Sequence, residues 1–414
     1  MEYWRRSVDR ELDELCPLAP AIALDGPKGV GKTATALRRA RRVWSLDDPS
    51  ERGVLEADPR LITQSEGPVL VDEWQRLPPV WDVVRRHVDA GAPPGRYLLT
   101  GSATPVAGTD THSGAGRVLS LRMRPMALHE RRRATPTVSL AALLAGSALV
   151  EGTTELRLAD YLTAVEESGF PAIRSAPPRL RRSLLDSYLQ RVVDRDLPDH
   201  GFAVRRPETL RRWLQAYAAA SSTTASYSRL LDATTAGDGA QPAKTTTIAY
   251  RDHLTSLWLL DPVPGWSPRR GGLARLQQAP KHQLADPALA ARLLGLSAES
   301  LTAPRGAAMA GPLFESLATL SVRVAAQSAE SRVGHLRTGN GDHEIDMVVE
   351  GPDGQVVAIE VKLSATVADH DVRHLRWLRD QHPDVVDCVV LTTGATAYRR
   401  RDGVAVVPLA LLGD

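Results

Sequence analysis

The sequence predicts an α/β chain that opens on a largely parallel sheet, continues through a helical region and ends in a second α/β domain. Three observations predict it. Residues 21–40, AIALDGPKGVGKTATALRRA, run as an apolar strand, a glycine-rich loop and an Ala-, Leu- and Arg-rich helix. A second apolar strand, Val69-Leu70-Val71, then delivers Asp72 and Glu73 at its end. Far along the chain, Asp346, Glu360 and Lys362 fall on strand-like runs joined by the turn Gly351-Pro352-Asp353-Gly354.

The first stretch carries the most chemistry. Gly26, Pro27, Lys28, Gly29, Val30, Gly31, Lys32 and Thr33 meet the pattern G-x-x-x-x-G-K-[ST] in full. Glycines let successive backbone N–H groups turn inward toward phosphate oxygens. Lys32 is expected to reach the β- and γ-phosphates and Thr33 to place its hydroxyl on Mg²⁺. The following helix presents its positive end to the same anion. ATP with Mg²⁺ is therefore the expected cofactor. Asp72 then belongs to the metal shell, and Glu73 is the residue that orients and polarises the attacking water.

Composition bounds the alternatives. The 414 residues suit two or three domains, and 43% hydrophobic residues are ordinary for a globular protein. A net charge of +2 makes no bulk electrostatic case for a nucleic-acid partner. Cys16 and Cys388 are too few and too far apart for a disulfide framework or a zinc site. The charged start, MEYWRRSVDRELDEL, does not read as a signal peptide. Val138–Val150, the longest apolar run, is too short to span a bilayer. The expectation is a cytoplasmic protein without a membrane partner. Of 51 basic residues only Lys28, Lys32, Lys244, Lys281 and Lys362 are lysines. An ammonium and a guanidinium differ in shape and pKa behaviour, so a few positions cannot accept the swap. Lys32 is among them, and Lys362 draws attention for the same reason.

In chain order, Glu2–Leu15 predicts an amphipathic helix and Arg42–Leu46 a strand closed by Asp47-Asp48-Pro49. Val54–Ile62 predicts a helix, as does Leu77–Ala90, with Val80, Val83, Val84, His87 and Val88 on or near one face. Arg96–Ser102 predicts a strand whose end presents Thr100 and Ser102 as candidate γ-phosphate sensors. This core extends to about Glu130, with the ligand expected at the C-terminal strand ends.

The run GPKGVGKT, WSLDDP, VLVDEWQ, LLTGS and GRVLSLRMRPMALHE resembles a large prokaryotic family of ATP-binding proteins. Its members join an AAA-type ATPase domain to a C-terminal domain of poorly defined function. GFPAI, YLQRVVDRDLPD, KTTTIAYRDHLTSLWLLDPVPGW and GPLFESL continue the resemblance over most of the chain, although Lys28 stands where the family often has Arg. The resemblance implies an AAA-like core, a homo-oligomer as candidate state, and Arg117 as a candidate arginine finger or sensor contacting nucleotide.

The region from Arg131 to Pro268 reads as helical, with helices at Leu180–Val193, Pro207–Ala220, Tyr227–Ala233 and Thr245–Trp258. Three helices followed by LWLLDPVPGW predict a winged helix-turn-helix, as the resemblance also implies. In one reading Lys244, Thr245, Thr246, Tyr250 and Arg251 face DNA, the candidate macromolecular partner; in the other the module only packs, and the five make no dense basic stripe.

The third region, 279–414, begins with a helix at Pro312–Val324 that carries Glu315. Strands at Arg332–Leu336 and Glu344–Glu350 flank a hairpin turn at 339–342, and Val356–Leu363 follows as a third strand. Asp346, Glu360 and Lys362 spell D-x₁₃-E-x-K, which resembles the PD-(D/E)xK restriction-endonuclease-like fold, with Ile345 where that pattern has Pro. Glu360 and Lys362 share one face of their strand. Asp346, Glu360 and Glu315 are expected to hold a second Mg²⁺ or Mn²⁺, and Lys362 to activate the attacking water. The domains expected are thus 1–130, 131–268 and 279–414. The function expected is a Mg²⁺-dependent ATPase coupled to a nuclease-like domain that acts on or near DNA. The alternative is a DNA-binding regulatory or interaction protein, of toxin–antitoxin or defence type, whose nucleotide site is a switch and whose nuclease-like domain is inactive.

Overall fold

A computed structural model describes residues 3–102, 114–234, 244–267, 279–338 and 341–414. The chain divides into two compact units. The first comprises Met1–Arg124, Asp194–Ala203 and Asp252–Leu259, and the second Pro125–Val193, Val204–Arg251 and Leu260–Asp414.

The first unit is built on five parallel strands: β1 (Ala21–Asp25), β2 (Arg42–Ser45), β3 (Val69–Asp72), β4 (Tyr97–Gly101) and β5 (Leu119–Arg122). Their order is β2-β3-β4-β1-β5. β1, β3 and β4 read as near-continuous apolar runs because a central parallel strand is covered on both faces. Ala21, Ala23, Val69, Val71, Tyr97 and Leu99 form a core with Val80 and Val84 of the helix Pro79–Asp89. Parallel pairing sets every strand's C-terminal end on one edge. In register, Asp25 lies beside Gly101, and Thr100 lies between Leu24 and Asp72.

The helix expected at Val54–Ile62 is instead two, Pro49–Ala57 and Leu61–Gln64. Asp48 accepts the Ser50 N–H at 2.8 Å and Pro49 takes the first helical turn, so the residues read as a turn are an N-cap.

The second unit holds a ribbon of β6 (Val138–Ser139) and β13 (Leu412–Gly413) and a six-stranded mixed sheet. The sheet's strands are β7 (Arg332–Arg337), β8 (Glu344–Glu350), β9 (Val356–Val361), β10 (Val385–Thr392), β11 (Tyr398–Arg399) and β12 (Ala405–Pro408). Their order is β11-β12-β10-β9-β8-β7. Ile345, Val348, Val356, Ala358 and Val390 pack on Leu375 and Leu378 of the helix Arg373–Gln381. The helix Ala307–Ser328 is buried along most of its length. In the expected hairpin turn, residues 339 and 340 lie outside the described set, as do residues 235–243 of the loop TTAGDGAQPA.

The segment expected as a wing after the third helix pairs in two places. Helices Pro207–Ala219, Tyr227–Thr234 and Lys244–Ser256 are present. The end of the segment that follows joins the C-terminal sheet: Gly265 bridges His335 in parallel, and Trp266 enters the core of that sheet and donates its indole N–H to Glu350 at 2.9 Å. A large aromatic adds most by filling a core, and Gly334 leaves it room, since a Cβ there would lie 2.8 Å from the Trp266 Cβ. Leu260 and Val263 make antiparallel bridges to Leu284 and Lys281.

Candidate functional site

At the strand-end edge of the first unit, Gly29 and Gly31 take φ values of 80° and 105°, left-handed backbone that only glycine adopts without strain. Gly26, at φ 155°, has a second reason to be glycine. A Cβ there would lie 2.1 Å from the Met123 carbonyl oxygen, and Met123 is pinned by its own N–H to Asp25 O at 2.7 Å. Gly26→Ala is therefore expected to destabilise the first unit by at least about 1–3 kcal/mol, read as a lower urea midpoint of its unfolding transition.

Lys32 is buried and donates to the carbonyls of Gly26 at 2.7 Å and Pro27 at 2.9 Å. Burial pulls its ammonium down to about 8, against Glu73, Asp25 and Asp72, which favour the charge. Val30 is buried and serves the core, while Arg6 donates to its carbonyl at 3.0 Å and holds the loop from outside. Lys28 turns away from the loop and pairs with Asp196 at 2.5 Å.

The carboxylates meet the loop. Thr33 donates its hydroxyl to Asp72 at 2.7 Å, and Thr100 donates to the same Asp72 oxygen. Burial pushes the Asp72 carboxyl up, the two hydroxyls oppose that shift, and the Glu73 charge adds to it. Such a carboxylate gains from a cation beside it. Glu73 takes φ 53° and ψ 45°, a strained conformation for a non-glycine residue. Its Oε2 accepts from Ser102 at 2.9 Å and from the Gln75 amide at 2.5 Å, and Gln75 also donates to Ser102 at 3.0 Å. Gln75 was missed by the sequence reading, although a polar residue two positions past the second carboxylate was a usable signal. Thr100 and Ser102, read as γ-phosphate sensors, hold the two carboxylates. The loop, Thr33 and Asp72 fit a nucleotide with Mg²⁺.

Arg117 does not join them. It precedes β5, which runs parallel to β1, so it lies at the opposite edge of the sheet from the loop. There its guanidinium is paired with Asp89 at 2.6 Å. The expected contact with this chain's own nucleotide is corrected on that ground.

In the second unit, continuing the β8–β9 register by one residue from the Met347–Ile359 pair sets Asp346 opposite Glu360. The expected metal shell is not what gathers there. Lys281 enters instead, with its Nζ 2.8 Å from Glu315 and 3.0 Å from Asp346. The other Asp346 oxygen accepts the Val361 N–H at 2.9 Å, and Lys362 donates to Glu360 at 3.0 Å. Among the described residues no three His, Cys, Asp or Glu side chains are placed to hold a metal ion. As placed, Asp346, Glu360 and Glu315 do not form the shell expected for the second Mg²⁺ or Mn²⁺, because an ammonium group takes one oxygen of each. Burial pushes Glu315 up to about 8, helped by Asp346 and opposed by Lys281. Burial opposes the Lys281 charge, but Asp346 and Glu315 more than restore it.

The residues expected to face DNA are divided. Tyr250 is buried, with its ring 6.1 Å from that of Trp213, and the Arg251 guanidinium lies over the Tyr227 ring. Lys244 and Thr245 are exposed and Thr246 half-buried. Among the described residues no helix is long and apolar enough to cross a membrane.

Comparison with known proteins divides the chain in three. Residues 19–131 match the AAA domain family. Residues 158–300 match a domain of unknown function (DUF8612), and residues 310–412 match another (DUF4143). Uncharacterized proteins of Mycobacterium tuberculosis and Mycobacterium bovis are each 27% identical over 374 residues, spanning 87% of this chain and 74% of theirs. Among solved structures, a Walker-type ATPase of Pyrococcus abyssi is 13% identical, with a TM-score of 0.40 over 69% of this chain and 94% of its own. The Aeropyrum pernix ORC2 protein is 16% identical, with a TM-score of 0.31 over 73% of this chain and 91% of its own. With the loop, the strand-end carboxylates and the family match in agreement, the N-terminal part of this chain is a P-loop domain of the AAA type.

Proposed function

We propose that the chain is a Mg²⁺-dependent ATP hydrolase working at Lys32, Thr33, Asp72 and Glu73. The observation that carries this reading is the single strand-end cluster in which Thr33 reaches Asp72 at 2.7 Å while Glu73 is held beside it by Ser102 and Gln75. Lys32 would leave its two loop carbonyls for phosphate oxygens, a stronger, charge-assisted partnership. Thr33 and Asp72 would hold Mg²⁺, which when bound neutralises charge on the phosphate oxygens. Glu73 would orient the attacking water and draw off its proton. The Gln75 carbonyl oxygen, buried and without a hydrogen-bond partner among the described residues, would accept that water's other hydrogen. These roles depend on fixed geometry, and Ser102 and Gln75 supply it.

Lys32→Ala is expected to raise the ATP dissociation constant about 10- to 100-fold, the loss of a hydrogen-bonded charge. Calorimetric titration with ATP and Mg²⁺ measures it. Wild-type affinity in the folded variant would place the nucleotide elsewhere.

A further inference from the structure

The ammonium of Lys281 sits among three carboxylates. Its Nζ is 2.8 Å from Glu315 Oε1, 3.0 Å from Asp346 Oδ1 and 4.0 Å from Glu344 Oε1, and its side chain is 1% exposed. Its backbone is as firmly placed as its charge. Lys281 and Val263 exchange both N–H···O bonds at 2.9 Å, and the next residue, His282, donates its N–H to the Thr223 carbonyl at 2.8 Å. The carboxylates are held equally well: Asp346 by the Val361 N–H, and Glu315 within a 22-residue helix. A buried ammonium is tolerated only with such pairing.

The spacing suits an ammonium and not a small divalent ion. Mg²⁺ binds oxygen at about 2.0–2.1 Å, so Glu315 would have to close in by roughly 0.7–0.8 Å and Asp346 by roughly 0.9–1.0 Å from where Lys281 holds them. Lys362 occupies Glu360 in the same way, at 3.0 Å. Two ammonium groups thus stand among the carboxylates that a metal would need. Lysine usage points the same way: a compact point charge fits between two carboxylates where a planar five-donor fork would not. The chain keeps a lysine here although 46 of its 51 basic residues are arginine.

We infer that Lys281 is the resident cation of this cluster, that its ammonium takes the place of a divalent ion, and that Asp346 and Glu315 bind metal only when it is removed. The C-terminal domain of the wild-type chain is then a charge-closed scaffold without metal-dependent phosphodiester cleavage. This inference stands apart from the ATP site and survives its failure.

The experiment counts bound Mn²⁺ in nucleotide-free, full-length protein from the electron paramagnetic resonance signal of the free ion. Wild type and Asp346→Asn are expected to give coincident binding curves. Lys281→Met is expected to gain one Mn²⁺ per chain, and Lys281→Met/Asp346→Asn to lose it. A wild-type Mn²⁺ that Asp346→Asn removes would overturn the inference, as would a folded Lys281→Met that gains none. Should Lys281→Met unfold, its refolding by Mn²⁺, read by circular dichroism, supports the inference. Failure of Mn²⁺ to refold it counts against the inference.

Discussion

Replacing Glu73 by Gln is expected to lower ATP turnover about 10²- to 10⁴-fold, the span typical for loss of a positioned general base. Affinity for ATP should stay within about threefold of wild type, because Glu73 is not among the residues assigned to the phosphates or the metal. The substitution is nearly isosteric. An amide oxygen at the Oε2 position can still accept from Ser102, now at 2.9 Å, and from Gln75, so the left-handed backbone at position 73 need not relax. What disappears is the charge that draws a proton from water. Steady-state turnover gives the rate and calorimetry the affinity. Turnover near wild type would remove Glu73 from the reaction. Loss of affinity in parallel with rate would mean that it supports the loop rather than the water.

Replacing Asp346 by Ala is expected to destabilise the second unit by about 3–5 kcal/mol, because it leaves a buried ammonium short of its counter-charge. Lys281 would keep Glu315, whose carboxyl burial still pushes up although the raising effect of the Asp346 charge is gone, so one of its two close counter-charges remains. The Val361 N–H would also lose its acceptor. Asp346→Asn should cost less, since an amide oxygen can still accept one of these two bonds. Urea unfolding followed by circular dichroism and by tryptophan fluorescence resolves the transition. A cost below about 1 kcal/mol for Asp346→Ala would mean that Lys281 moves to solvent when its partner is lost, and that the cluster is not rigid.

The two sites differ in how far they could be read from residues alone. The nucleotide loop is eight consecutive residues whose glycines, lysine and threonine are required by local backbone geometry and by one ligand. Asp72 and Glu73 follow an apolar strand, and parallel pairing brings that strand's end to the loop. Arg117, in contrast, is close in sequence to β5 and far from the loop, because a parallel strand separates its two ends to opposite edges. Tyr250 and Arg251 suit phosphate contact by residue type; the fold buries Tyr250 beside Trp213 and lays the half-buried Arg251 over the Tyr227 ring. Trp266 ends the run expected as a wing, and only the fold shows that it packs in the core of the C-terminal sheet.

The sequence by itself determined the P-loop, its carboxylate partners, the α/β character of both ends and the cross-strand placement of Asp346 and Glu360. Each of these has a signature local to its own residues, a loop motif or a strand pattern, even where the partners lie apart, as Thr33 and Asp72 do by 39 residues. Only the tertiary structure decided what neutralises the C-terminal carboxylates. Lys281 lies 34 residues from Glu315 and 65 from Asp346, and nothing local to any of the three announces the other two. The physical reason is that burying carboxylates demands a cation without specifying which one. A metal ion and an ammonium meet the same electrostatic need, and the choice falls to whichever the fold brings within about 3 Å.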